Sequence, residues 1–153
     1  MIVLIAVKGG ESEMFFRRVS DVAPLREAAR VILAHVIDAA ALNDPDHGRE
    51  FYLGFRSARG VHQESMLQAE IDNATASLQF ARQALIQAGV LDERLEEITA
   101  LGRTAHELLR LAEQRRADLI VVGGRPGKPG PHSIGKTARF LIDHAPNAAL
   151  LVR

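Results

Sequence analysis

The sequence predicts an α/β protein: a single domain with an open, doubly wound, mainly parallel five-stranded sheet and helices on both faces. Three observations predict it. Short continuous apolar runs, at residues 2–7 and 31–37, read as strands buried on both faces. Segments with helical period lie between such runs. Clusters of glycine and proline follow the runs, where strand gives way to loop. Strands alternating with helices imply right-handed crossovers and one sheet covered on both sides.

The first run ends at Gly9-Gly10. A helix is expected over about 11–19, and Pro24 suits the first turn of a second short helix running toward Ala29. The second run, 31–37, is closed by Asp38. Residues 39–61 have no clean period and carry Asn43, Asp44, Pro45, Asp46, Gly48, Gly54 and Gly60, so they read as one long loop. From about 62 to 88, Leu67, Ile71, Ala74, Leu78, Ala81 and Leu85 step by fours and threes into one apolar stripe, stopped by Gly89. A weaker strand covers 95–101. Thr104 and Glu107 are spaced as a capping box and open a helix with Ala105, Leu108 and Ala112 inward. The fourth strand is 119–122, and 123–133 is a loop rich in glycine and proline. The last helix is expected to bury Ile134, Ala138, Leu141, Ile142 and Ala145 and to end at Pro146. A short strand over 148–152 closes the chain of elements.

Composition narrows the function. The 153 residues suit one domain, and 47% apolar content supplies a sizeable core. There is no cysteine, which removes disulfides and thiolate chemistry and suits a reducing compartment. Nineteen basic residues balance nineteen acidic ones, so no basic face is expected to grip nucleic acid. With no tryptophan and one tyrosine, there is little to stack a strand of bases on. The run at 2–7 is too short for a secretory core or a membrane span. The expectation is a cytoplasmic protein with no membrane and no nucleic-acid partner.

Open α/β sheets bind ligands beyond the carboxyl ends of their strands, where strand order reverses. That rule singles out the loops after Val7, Ile37 and Val122. The last is the most informative, running from Gly123 through Arg125, Gly127, Lys128 and Gly130 to Gly135-Lys136-Thr137. A glycine-rich loop that opens a helix offers bare N–H groups to an anion, and the helix dipole adds partial positive charge. Arg125, Lys128 and Lys136 add full charges. A phosphate or nucleotide fits such a loop; a surface turn has the same composition. Residues 130–137 also match the G-x-x-x-x-G-K-T pattern of a P-loop, in which Lys136 would reach the β and γ phosphates and Thr137 a magnesium ion. A P-loop follows its strand at once, whereas seven residues, two of them proline, separate this one from Val122.

Other groups are weaker. Asp44, Asp46 and His47 cluster as metal ligands do, but their neighbours Pro45 and Gly48 suit a turn. Ser133 lacks a G-x-S-x-G setting, and His35 reads as a packed, hydrogen-bonded strand residue. No catalytic residue and no resident metal are assigned.

The segment Asp118-Leu119-Ile120-Val121-Val122-Gly123, the glycine loop, Gly135, then His144-Ala145-Pro146 and Leu150-Leu151-Val152-Arg153 together resemble the C-terminal signature of the universal stress proteins. His35-Val36-Ile37-Asp38 is similar to that family's second-strand signature. The resemblance implies an adenine-nucleotide alpha-hydrolase-like fold and a stress-responsive sensor or regulator binding ATP, ADP or AMP. It implies a homodimer in which the strand 148–152 pairs with its counterpart; an apolar edge strand is otherwise a liability. It places adenosine against Ala6, Val7, Val36 and Val122. Phosphates fall to Gly123, Arg125, Gly127, Gly135, Lys136 and Thr137, with Lys8 and Gly9 at the first turn.

The chain departs from the family's ATP-binding pattern of Gly, two residues, Gly, nine residues, Gly, then Ser or Thr. Pro126 stands at the second glycine, with Gly127 one step late; the loop is one residue shorter, and Lys136 replaces the hydroxyl residue. Lys8 stands where an aspartate is usual. Two readings stay open. Lys8 and Lys136 neutralise phosphate in place of a divalent ion, or the phosphate grip is lost and the protein acts through protein contacts. A P-loop-like ATPase is a third reading. No general base is positioned, so slow ATP hydrolysis is the most that is expected.

Overall fold

The apolar runs become strands because each has a buried residue on both faces. The computed structural model describes residues 1–42, 56–125, 127 and 130–153. Its strands are β1 Ile2–Ala6, β2 Arg30–Asp38, β3 Leu95–Gly102, β4 Leu119–Gly123 and β5 Ala148–Val152. Its helices are α1 Glu13–Val22, α2 Ala39–Leu42, α3 Arg56–Gln87, α4 Thr104–Gln114 and α5 Lys136–His144. All strand pairs are parallel, in the order β3-β2-β1-β4-β5.

Alternation along each strand divides the core into two layers. Val3, Ile5 and Val7, with Val31, Leu33 and Val121, meet Phe16 and Val19 of α1 and Leu78, Ala81 and Leu85 of α3. Leu4, Ile32, Ala34, Val36, Ile120 and Val122 meet Leu108 and Leu111 of α4 and Ala138 and Leu141 of α5. The predicted five-stranded, doubly wound fold is therefore the fold observed.

Several predicted boundaries change. No helix forms at 24–29. Ala23, held extended (φ −105°, ψ 146°) before Pro24, ends α1, and a turn with Ala28 N–H donating to Pro24 O leads straight into β2. The segment 39–61 is not one loop, since 39–42 are helical and α3 already begins at Arg56; residues 43–55 lie outside the described residues. Gly60 sits inside α3 because one glycine costs a helix only about 1 kcal/mol. The capping box does not form. Arg103 is the N-cap of α4, which puts Thr104 one position inside, and Glu107 pairs with Arg110 at 2.6 Å instead. The last helix starts two residues after Ile134, and Ile142 is 43% exposed, so Ala138 and Leu141 carry its buried face.

Candidate functional site

From β1 the sheet runs one way through β2 to β3 and the other way through β4 to β5, so strand order reverses between β1 and β4. Two segments lead away from the carboxyl ends there: the turn after β1 and the glycine loop after β4.

The first turn uses Gly9 and Gly10 at φ 93° and 80°, the left-handed region that glycine enters freely. The main-chain N–H groups of Lys8 and Gly9 point together and donate to Glu11 Oε1 and Oε2 at 2.7 and 2.9 Å. Two N–H groups on one carboxylate make an anion nest, and here the anion is the chain's own. Glu11 escaped the sequence reasoning. Its only signal there is an acidic residue directly after Gly9-Gly10.

The glycine loop is anchored at both ends. Gly124 N–H donates to Val152 O at 2.7 Å, and Arg125 N–H to Ser133 O at 2.9 Å. A Cβ placed on Gly135 would stand 3.7 Å from Arg125 Nε, so the guanidinium lies over the start of α5. Gly135 is the N-cap of α5, with φ −71°, ψ 166° and no capping side chain. The opening N–H groups of α5 thus have a positive dipole end, no side-chain acceptor among the described residues and a guanidinium near their start. That geometry accepts an anion. Lys136 is exposed and Thr137 is half-buried on the first turn. Gly127 and Gly130 have φ 72° and 80° with nothing within 4 Å of an added Cβ. Pro126 and Lys128 lie outside the described residues.

Other predicted site residues are only partly brought together. Ala6, Val36 and Val122 share the α4/α5 layer. Val7 belongs to the opposite layer, 2% exposed, and donates its N–H to Ala34 O at 2.8 Å. Val36 and Val122 are themselves buried, so what they offer a ligand is a strand edge more than a side chain. Lys8 is exposed.

Among the described residues, five ion pairs join Arg30, Arg82, Arg110 and Arg115 to Asp92, Glu96, Glu97 and Glu107. None involves Lys8, Arg125 or Lys136. No group of three or more His, Asp or Glu among the described residues could hold a metal ion, and Asp44, Asp46 and His47 lie outside them. No described helix is long and apolar enough to cross a membrane.

This fold defines an open α/β protein of the adenine-nucleotide alpha-hydrolase type, with a glycine-rich loop leaving the sheet at its switch point. The family model of the universal stress proteins matches residues 1–153, and the chain belongs to that family. Solved structures share the fold. UspA from Lactobacillus plantarum is 22% identical, with a TM-score of 0.69 over 100% of this chain and 97% of its own. A universal stress protein from Archaeoglobus fulgidus in complex with dAMP is 20% identical, with a TM-score of 0.62 over 100% and 98%. A family member from Arabidopsis thaliana with AMP bound is 15% identical, with a TM-score of 0.64 over 99% and 90%. No curated protein matches the sequence.

Proposed function

We propose that this protein is a cytoplasmic adenine-nucleotide binding protein, one domain over residues 1–153, that works as a homodimeric stress sensor or regulator. The observation that carries this reading is the uncapped N-terminus of α5 with the Arg125 guanidinium over Gly135, next to the switch point. Relatives of the same fold bound to dAMP and AMP support adenine as the base. The nucleotide's base and ribose lie along the edge formed by Ala6, Val7, Val36 and Val122. Its phosphates meet Gly123, Arg125, Gly127, Gly135, Lys136 and Thr137. Lys8, beside Gly9, joins Lys136 in neutralising charge, so magnesium is not required. The dimer forms through β5, the end strand of the sheet, whose outer edge has no partner strand among the described residues. Binding, not turnover, is the activity proposed.

Calorimetric titration with ATP, with and without magnesium, tests the reading. Binding in both conditions, weakened by Lys136→Ala, is the expected result. Binding that requires magnesium would favour a P-loop-like or metal-assisted site. No binding in either condition would favour a second reading, a family member that acts through protein contacts alone. One observation favours that second reading: Glu11 already fills the N–H groups of Lys8 and Gly9.

A further inference from the structure

Ser133 is the one buried polar side chain of the glycine loop among the described residues, at 2% exposure. Three parts of the fold meet on it. Its Oγ accepts from Arg153 Nη2 at 2.8 Å. Its carbonyl accepts the Arg125 N–H at 2.9 Å, and its own N–H donates to Gly130 O at 3.0 Å. The near limb of the loop, its middle turn and the residue following β5 are thereby tied at one point.

Arg153 is itself fixed. The Arg18 guanidinium of α1 donates to its carbonyl. Its stem crosses Gly124, where an added Cβ would come within 3.0 Å of Arg153 Cγ. The absence of a side chain at 124 is therefore used by Arg153, and Gly124 N–H meanwhile holds Val152 O. An exposed arginine tied at its stem, its carbonyl and its guanidinium is not behaving as a solvated surface charge.

We propose that Ser133 and Arg153 are positioning residues for the glycine loop: acting from the end of β5, they hold Arg125 over Gly135 before any ligand arrives. The proposal rests on the reading of that loop as a phosphate site. The physical reason is entropy. A loop with glycines at 124, 127 and 130, two of them in left-handed conformation, has many competing shapes, and ordering it on binding would weaken the complex. A lock made during folding removes that cost from the binding step.

The test combines two measurements on the full chain. ATP affinity is measured by calorimetry for wild type, Arg153→Ala, Ser133→Ala, the double variant and Arg153→Lys. Amide hydrogen exchange at Arg125 and Ser133 is measured without ligand. Each alanine variant should weaken ATP by about tenfold, the scale of one charge-assisted hydrogen bond. The double variant should be no weaker than either single one. Arg153→Lys should restore part of the affinity, and exchange should quicken in both alanine variants. Loss in Arg153→Ala with wild-type affinity in Ser133→Ala would overturn the proposal, because Arg153 would then touch phosphate directly. Additive losses would overturn it as well. If wild type binds no ATP, the phosphate reading fails, and exchange alone decides the lock: it stands if both alanine variants quicken exchange at 125 and 133, and falls otherwise.

Discussion

Glu11 has two opposing effects, and they separate by experiment. Its carboxylate satisfies the N–H groups of Lys8 and Gly9, which stabilises the turn after β1. It also puts a negative charge on the rim of a crevice proposed to take phosphate. A unit charge about 4 Å away in water is worth about 1 kcal/mol. Glu11→Gln should therefore tighten ATP about fivefold in calorimetry while lowering stability by about 1 kcal/mol in urea denaturation. Loss of both stability and affinity would show that the carboxylate only builds the turn. Gly9 is a second residue whose identity is dictated by geometry. At φ 93°, with an added Cβ 3.1 Å from Ser77 Oγ of α3, an alanine is strained and crowded. Gly9→Ala should cost about 1–2 kcal/mol in the same denaturation experiment.

At the scale of elements, α3 behaves as two pieces. Its 32 residues span about 48 Å, whereas the nine residues of β2 beneath it span about 30 Å. The helix therefore overhangs the sheet. The apolar stripe from Leu67 to Leu85 is continuous in sequence, yet its residues are buried only from Ala74 onward. Leu85 is 0% exposed and Ile71 is 37% exposed. Leu85→Ala should lose about 2–5 kcal/mol, the range for a buried leucine with no room to relax, while Ile71→Ala should lose under about 1 kcal/mol. Equal losses would mean that something covers the overhang. The other end of α3 is pinned by Arg82, which bonds Asp92 at 2.7 Å and Glu97 of β3 at 3.3 Å. The hydrogen bond to Asp92, more than the charges of Asp92 and Glu97, holds the Arg82 guanidinium above its ordinary pKa.

For the whole molecule, the consequence lies in β5. The strand is paired on one side with β4, from Leu119↔Ala148 to Gly123↔Val152, and its other edge is the proposed dimer contact. A lysine on such an edge opposes strand pairing. Ala149→Lys should give a monomer in sedimentation equilibrium with an unchanged far-ultraviolet circular dichroism spectrum. Because Arg153 connects β5 to the glycine loop, ATP should strengthen the dimer, and the dimer should bind ATP more tightly by the same factor. Arg153→Ala should abolish that linkage while leaving the dimer intact. A dimer constant indifferent to ATP in wild type would count against any coupling through β5.

Pattern alone settled the alternation of strand and helix and the two-faced burial of the strands. These are local matters: apolar period, glycine and proline placement and the run of charges from Arg125 to Lys136 are all read within a few residues. The family was legible for the same reason, since its signature lies mostly in contiguous segments around 118–123 and 144–153. Other features came only from packing. The stripe of α3 says nothing of where the sheet beneath it stops. Thr104 and Glu107 fit a capping box until Arg110 offers the carboxylate a full charge. Ser133 and Arg153 are 20 positions apart, and α5 and β5 must both be laid beside β4 before their side chains can meet at 2.8 Å. A contact between distant segments depends on register and crossover geometry, and neither is written in the residues that make the contact.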